Sequence, residues 1–312
     1  MILGVDVSAW QADRTTNPIK HINWSMMADM GVRFAWIKVG QGRYADKEFD
    51  YNWHEAKRVG IQRGGFWFHE WRPQYDPRAN FQANLCADLI GTDTPELGIA
   101  NDFERPNSNW PDLPDSATCD RMLWGFYETL YGRGLRADIL YTNGEGLRRI
   151  KPRAWLLEKE LWFAWPNNSE NTAGAISRAK YYGWNRDPLF VQHTWKLPGK
   201  QYGAQSNDLD GNVFIGDENK FNNFLTNTVE PVPETGGNKM KLPEVALKTL
   251  YAGQWVRSEP GISKEKIGSR SLGTYLGLPD DTAWENDDLW LHFAGVGWMA
   301  YAYDGRIYLG MV

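Results

Sequence analysis

The residues best suited to chemistry are two carboxylates, Asp102 and Glu104, which follow the apolar stretch 97–100. That stretch is typical of a short buried strand. Because side chains alternate faces along a strand, we expect both carboxylates to point the same way, roughly 6.5–7 Å apart. Such a pair is suited to glycoside hydrolysis, with one group protonating the leaving oxygen. A strand that simply ends in polar, solvent-exposed loop residues would look the same, so the surrounding elements must decide.

Strands and helices alternate through the first half of the chain. We predict strands at 2–8, 33–39, 64–69, 97–104, 137–142 and 161–165, and helices at 22–30, 48–60, 80–90 and 116–132, the last with Asp115 or Ser116 as its N-cap. Farther on, helices fade, and 181–184, 189–195 and 213–214 resemble strands joined by loops. This order predicts an α/β fold, a TIM-like (β/α) barrel with irregular last strands, whose active site lies at the carboxyl ends of its strands.

Five acidic residues fall near such strand ends: Asp6, Asp102, Glu104 and the Asp208/Asp210 pair. Their convergence on one end of a barrel favours a catalytic site over a solvated strand end.

Composition narrows the function classes. The net charge is -5 without a basic run, which argues against nucleic-acid binding. The 17 tryptophans, spread along the chain, suit either a packed core or stacking on sugar rings. Two cysteines, Cys86 and Cys119, form no disulfide framework and predict synthesis in a reducing compartment. The start reads as a strand rather than a signal peptide, and no apolar run reaches the ~20 residues of a membrane span.

Motifs at four places carry a family resemblance. They are Val5-Asp6-Val7-Ser8-Ala9-Trp10-Gln11, Ile37-Lys38-Val39-Gly40-Gln41-Gly42, Asp102-Phe103-Glu104 and Asp210-Gly211-Asn212-Val213-Phe214. In this order and spacing they resemble glycoside hydrolase family 25, the lysozyme (muramidase) family common in phage endolysins. The resemblance covers about the first 220 residues. It implies cleavage of the β-1,4 bond between N-acetylmuramic acid and N-acetylglucosamine, without a cofactor.

The resemblance also implies roles for the acidic residues. Glu104 is the general acid, and burial and the charge of Asp102 should keep it protonated near neutral pH. Asp102 should stay ionised and assist the substrate's own N-acetyl group. Asp6 and Asp210 should position substrate or water. Asp208 competes for the last role, and we prefer Asp210 because only it is followed at the second position by Asn212.

Candidate sugar contacts are Tyr141, Trp165 and Gln192, at the ends of later strands, together with Trp67. The third strand reads Trp67-Phe68-His69 where the family has a Tyr-His-Phe-like segment, so contacts at that wall should differ. Asn101 also departs from the family, which usually has an apolar residue before its Asp-x-Glu.

No metal site is expected. The run 208–212 could be mistaken for a calcium loop, but Val213 replaces the required Gly and Asn219 the required Glu. The five histidines show no pair with zinc-ligand spacing.

The chain should divide into a catalytic barrel at 1–225, a linker at 226–241 that is rich in Pro and Gly, and a small domain at 242–312. Segments 255–261, 267–268, 297–300 and 308–309 resemble a bacterial SH3-type wall-binding domain. Asp304-Gly305 suits a two-residue hairpin turn. The alternative is a small β-barrel that only packs on the catalytic domain.

The expected protein is therefore a monomeric endolysin whose partner is bacterial peptidoglycan, with no nucleic-acid binding and no membrane insertion. It should be made in the host cytoplasm without a signal peptide and act on the wall after release. Two alternatives remain open: a chitinase-like barrel that cuts N-acetylglucosamine polymers, and a non-catalytic glycan-binding protein. Whether the reaction retains or inverts the anomeric configuration is also open.

Overall fold

The computed structural model describes most of the chain in two compact units, Met1–Val232 and Pro233–Val312. The described residues are 2–72, 78–169, 171–226, 247–249, 254–260, 263–271, 274–277, 281–285, 288–294, 296–303, 306–307 and 309–311. Almost all of the predicted linker, residues 227–241, lies outside the described residues, and Thr226 closes the last helix of the first unit.

The first unit alternates strands and helices. Its strands are β1 (Ile2–Val7), β2 (Phe34–Gln41), β3 (Tyr44–Ala45), β4 (Gln62–Phe68), β5 (Ile99–Asp102), β6 (Ile139–Thr142), β7 (Glu160–Ala164), β8 (Phe190–Pro198) and β9 (Asp208–Phe214). Its helices are α1 (Trp24–Asp29), α2 (Phe49–Arg58), α3 (Ala79–Ile90), α4 (Ser116–Gly132), α5 (Gly144–Ile150), α6 (Ala154–Leu157), α7 (Ala173–Tyr181) and α8 (Glu218–Thr226).

Eight of these strands close into a barrel-like sheet, and β3 adds a short hairpin to β2. Strands β1, β2, β4, β5, β6, β7 and β8 pair in parallel around the sheet. Strand β9 closes it by pairing antiparallel with both β8 and β1. The α/β barrel was therefore predicted correctly at this coarse level. The TIM name fits only loosely, because β9 breaks the eightfold parallel repeat.

Aromatic side chains fill the inside of the barrel. Trp36 of β2 stacks on Trp162 of β7 with ring centroids 5.0 Å apart. Small residues make room for these rings: a Cβ on Gly64 would come within 2.2 Å of Trp36, and one on Gly4 within 2.3 Å of Phe34. A second apolar layer lies between the outer face of the strands and the helices. The filled interior confines any ligand to the barrel's ends.

Local sequence explains the helices that were predicted well. Helix α4 begins where Asp115 accepts hydrogen bonds from the backbone N–H groups of Ala117 and Thr118.

Cys86 and Cys119 lie in α3 and α4 and are buried free thiols. No helix among the described residues is long and apolar enough to cross a membrane.

The predicted strand at 181–184 is wrong. Tyr181 is the last residue of α7, and Gly183 adopts a φ of 97°, which ends the helical segment. The run of aromatic residues suggested a strand, but Tyr181 is exposed and packs in no sheet.

The second unit is all-β in its described residues. Its strands are β10 (Leu247–Thr249), β11 (Gln254–Arg257), β12 (Lys266–Arg270), β13 (Tyr275–Gly277), β14 (Asp281–Glu285), β15 (Asp288–Phe293), β16 (Gly297–Tyr303), β17 (Arg306–Ile307) and β18 (Leu309–Met311). Strands β12, β11, β16, β15 and β14 form one antiparallel sheet around Val256, Leu291, Phe293 and Met299. A second sheet runs β13, β10, β18. The predicted turn residues Asp304 and Gly305 lie outside the described residues.

A buried acidic cluster as candidate active site

The four predicted carboxylates meet at one end of the barrel. Asp6 lies near the end of β1, Asp102 ends β5, and Glu104 follows two residues later. Asp210 belongs to β9 and is the direct cross-strand partner of Asp6. The charge of Asp6 reaches the other three, since it raises the pKa of Asp102, Glu104 and Asp210. The geometry thus concentrates acidic groups where parallel barrels hold their active sites.

Glu104 has the protonation expected of a general acid. Part of its side chain is accessible, but protein atoms surround its carboxyl group, and this desolvation together with the charge of Asp6 raises its pKa to about 7. Asn143 donates a hydrogen bond of 2.9 Å to Glu104 Oε2 and partly opposes the rise in pKa. The carboxyl is therefore fixed in place while retaining a proton close to neutral pH.

Asn143 went unnoticed in the sequence. It follows β6 and caps α5, where its Oδ1 accepts the backbone N–H of Gly146 at 2.9 Å. Its amide is thus oriented by the helix, and Nδ2 points at Glu104.

Asp102 occupies a more buried position than Glu104. Burial raises its pKa, and the charge of Glu104 adds to the rise, whereas nearby Lys38 lowers it. Burial therefore opposes the predicted ionised state of Asp102, and Lys38 is the group that favours it. Asp102 Oδ1 is buried without a hydrogen-bond partner among the described residues, which adds to the free-energy cost of ionising this carboxyl group.

Lys38 is the cation of the site, and sequence analysis gave it no role. It belongs to β2, and its Nζ donates a hydrogen bond of 3.0 Å to Gln41 Oε1. The same Nζ lies 5.3 Å from the centre of the Phe68 ring. Burial lowers its pKa, while the charges of Asp102 and Asp46 raise it. Lys38 was visible in the second motif, but only the barrel places it beside Asp102.

Asp6 and Asp210 form a hydrogen-bonded carboxyl pair. Asp6 Oδ2 also accepts two amide N–H groups, from Gln192 at 2.9 Å and Asn212 at 2.7 Å. Burial raises the pKa of Asp6, and these hydrogen bonds lower it. Burial and the charge of Asp6 raise the pKa of Asp210 to about 9. Asp208, the alternative to Asp210 for this role, lies two positions before it in β9 and is exposed.

The predicted sugar contacts divide into three groups. Tyr141 and Gln192 line the site but bind each other, with Tyr141 Oη 2.9 Å from Gln192 Oε1. Gln192 thus contacts Asp6 and is buried at 2% exposure, which makes it a support for the acidic pair. Trp165 is half-buried just after β7, with the Arg178 guanidinium 5.4 Å from its ring centre.

Trp67 is corrected by the structure. It is fully buried, at 0% exposure, in the apolar layer outside the barrel. Its Nε1 donates a hydrogen bond of 3.0 Å to Gln82 Oε1 of α3. Because side chains alternate along β4, Phe66 packs in the barrel interior and Trp67 must point outward. It cannot contact a substrate at the barrel end.

Two exposed indoles near the site were not singled out by sequence. Trp195 of β8 is 53% exposed, and its Nε1 donates 2.8 Å to Gln192 Oε1. Trp10, in the turn that follows β1, is 83% exposed. Exposed tryptophans of this kind are suited to stacking on the apolar faces of sugar rings.

Among the described residues, no group of His, Cys, Asp and Glu side chains is arranged to hold a metal ion. The chemistry available to the cluster is proton transfer and charge stabilisation by carboxyl groups.

Comparison with known proteins gives the family of this chain. The model of the glycosyl hydrolases family 25 matches residues 5–194, more than half of the chain. The chain belongs to this family. It is 38% identical over 68 residues to "Lysozyme M1" from Streptomyces globisporus, a match that covers 22% of this chain and only 20% of that protein.

Two solved structures share the fold of this chain. A family 25 glycosyl hydrolase from Bacillus anthracis superposes with a TM-score of 0.58 at 23% identity, covering 72% of this chain and 93% of that chain. A bacterial lysozyme from Streptomyces coelicolor gives a TM-score of 0.55 at 22% identity, covering 73% of this chain and 98% of that one. Three of the four motifs identified in the sequence lie within residues 5–194, whereas the fourth, at 210–214, lies beyond them.

Proposed function

We propose that this family 25 hydrolase is an N-acetylmuramidase, which cleaves the β-1,4 bond between N-acetylmuramic acid and N-acetylglucosamine in peptidoglycan. The observation that carries the proposal is the acidic cluster at the barrel end, where Glu104, whose pKa is raised to about 7, lies with the buried Asp6 and Asp102 and the partly exposed Asp210. Glycoside hydrolysis requires such a protonated acid next to groups that carry negative charge. The lysozyme among the relatives supports this choice of substrate.

In the proposed reaction, Glu104 protonates the glycosidic oxygen as the bond to the anomeric carbon breaks. Asn143 keeps the carboxyl group aimed. Asp102 supports the positive charge that develops on the sugar, either directly or by binding the N–H of the substrate's own N-acetyl group. Water then completes hydrolysis, with Glu104 accepting a proton from it. Asp6 and Asp210 set the electrostatic environment of Glu104 and Asp102.

We further propose that the second unit binds the bacterial wall as an SH3-like domain and that the whole chain acts as a phage endolysin. It would be made in the host cytoplasm and reach the wall after release. An exposed aromatic residue supports a binding role: Trp255 of β11 is 49% exposed, with Lys266 Nζ 4.3 Å from its ring centre. The competing possibility is a β-domain that only packs on the barrel.

The test is lysis of purified walls followed by reducing-end analysis of the fragments. New reducing ends on N-acetylmuramic acid support a muramidase. Cleavage of chitin oligomers in preference to walls would favour a chitinase-like enzyme. Binding without any new reducing ends, in wild type and Glu104→Gln alike, would leave a glycan-binding protein.

A further inference from the structure

The Asp6–Asp210 pair poses a question that the family fold leaves open, namely which of its two carboxyl groups holds the proton. Two carboxyl groups that are hydrogen-bonded to each other share one proton, because two buried negative charges in contact repel strongly. The answer matters for the proposed reaction, since the charge on Asp6 acts on Glu104.

The amides around Asp6 have only one possible orientation. An indole N–H can donate but not accept, so the atom facing it must be an amide oxygen. Trp162 Nε1 lies 2.7 Å from Asn212 Oδ1, and Trp195 Nε1 lies 2.8 Å from Gln192 Oε1. Tyr141 Oη, 2.9 Å away, donates to the same oxygen of Gln192. The NH₂ group of each amide is thereby turned away from its indole.

Both NH₂ groups then point at the same atom, Asp6 Oδ2, from Gln192 at 2.9 Å and from Asn212 at 2.7 Å. A carboxylate oxygen that accepts two N–H groups is stabilised in its charged form. Among the hydrogen bonds of the described residues, Asp210 receives no such amide donor. The asymmetry therefore lies in the donors supplied to Asp6.

We propose that Trp162 and Trp195 are positioning residues that assign the charge of this pair: through Asn212 and Gln192 they hold Asp6 as the anion and leave the proton on Asp210. Asp210 then donates its O–H to the carboxylate of Asp6.

The assignment can be tested without any activity, by thermal unfolding of two isosteric variants at pH 7. Asn at position 210 reproduces the donor of a protonated Asp210, so Asp210→Asn should melt within about 2 °C of wild type. Asn at position 6 has one acceptor in place of two and presents an NH₂ group to other donors. Asp6→Asn should therefore melt about 5 °C or more below wild type. Equal melting temperatures, or the reverse order, would overturn the assignment.

A second test follows the role of the indole and rests on the proposed muramidase activity. Trp195→Phe keeps the aromatic ring but deletes one donor to Gln192. The anion on Asp6 should weaken, so the pKa of Glu104 should fall, and the alkaline limb of the kcat/KM profile should move lower by roughly half a pH unit. The groups that face the pair are Glu104 and Asp102 near the end of β5, Tyr141 of β6, Asp208 of β9, and, beyond Asp102, Lys38 of β2.

Trp10→Phe is the matched control, because Trp10 is another exposed tryptophan near the site and its indole takes no part in these hydrogen bonds. It is expected to change KM on soluble glycan fragments without moving the limb. An alkaline limb of the kcat/KM profile that stays in place in Trp195→Phe, or that moves equally in both variants, would refute the positioning role. If Asp6→Asn does not fold, this second test decides the proposal in place of the unfolding comparison. If the wild type lacks glycan cleavage, the muramidase proposal fails while the unfolding comparison still decides the charge assignment.

Discussion

Replacing Glu104 by Gln separates the catalytic value of its proton from its cost to stability. In the folded protein its pKa is about 7, against an ordinary value of 4.5. Above pH 7 the native state must therefore carry a buried charge that the unfolded state carries in water. With about 1.4 kcal/mol for each pH unit, the difference amounts to about 3 kcal/mol.

The sign follows from proton binding. Between pH 4.5 and 7 the native protein binds a proton at Glu104 that the unfolded chain has lost. The contribution of Glu104 to the free energy of unfolding is therefore greatest below pH 4.5 and is lost as the pH rises through 7. Glu104→Gln removes this contribution and keeps an oxygen that can accept the hydrogen bond of Asn143. The variant should therefore become more stable than wild type at pH 8, by up to about 3 kcal/mol relative to their difference at pH 4.

The assay is urea unfolding of both proteins from pH 4 to pH 8, paired with wall lysis followed by turbidity. Lysis by Glu104→Gln should fall by about 10²–10⁴ through loss of the general acid. Glu145→Gln is the control, because this Glu is exposed in the first turn of α5. A stability difference that does not change with pH would refute the buried proton. Lysis near the wild-type rate with unchanged melting would refute Glu104 as the acid.

Other perturbations test the rest of the site and the chain's division. Asp210→Asn should lower turnover less than Glu104→Gln does, whereas Asp208→Asn should be close to neutral in the same turbidity assay; the reverse would move the role to Asp208. Lys38→Met should raise the pKa of Asp102 and shift the acid limb of the pH–rate profile upward by roughly one pH unit, with Lys38→Arg as the charge-preserving control and an unmoved limb as the contrary result. A chain truncated after Val232 should fold and cut soluble glycan as fast as the full chain. It should lyse intact walls more slowly, since a wall-binding unit would raise the local enzyme concentration. Equal lysis, together with no cosedimentation of the remaining unit with walls, would leave the packing-only alternative.

Sequence predicted the elements whose signals are local. The bounds of α4 were read correctly, because a capping Asp115 precedes an amphipathic run. Helix α5, only seven residues long and containing two glycines, gives no comparable periodicity and was missed. Helix α7 was missed for a similar reason, since its aromatic end resembled a strand. Short helices of this kind are stabilised by packing on the barrel rather than by their own sequence.

The acidic residues of the site were predictable because each lies in or beside a strand motif. Their partners were not, since these contacts join residues far apart in the chain: Asn212 and Asp6 are 206 positions apart, and Gln192 and Asp6 are 186 apart. The error at Trp67 has the same origin. A strand's alternation is visible in sequence, but which parity faces the barrel interior depends on neighbouring strands.

Asp210 shows how topology, more than motif, completes the site. The rule that active sites lie at the carboxyl ends of strands would exclude it, because Asp210 lies in the first half of β9. It reaches the acidic cluster because β9 runs antiparallel to β1, so that Asp210 pairs with Asp6 while Phe214 pairs with Ile2 at the opposite end. A parallel closing strand would bring Phe214 toward the cluster and carry Asp210 away from it. The reversal of this one strand therefore creates the carboxyl pair, and with it the need for donors that decide where its proton lies.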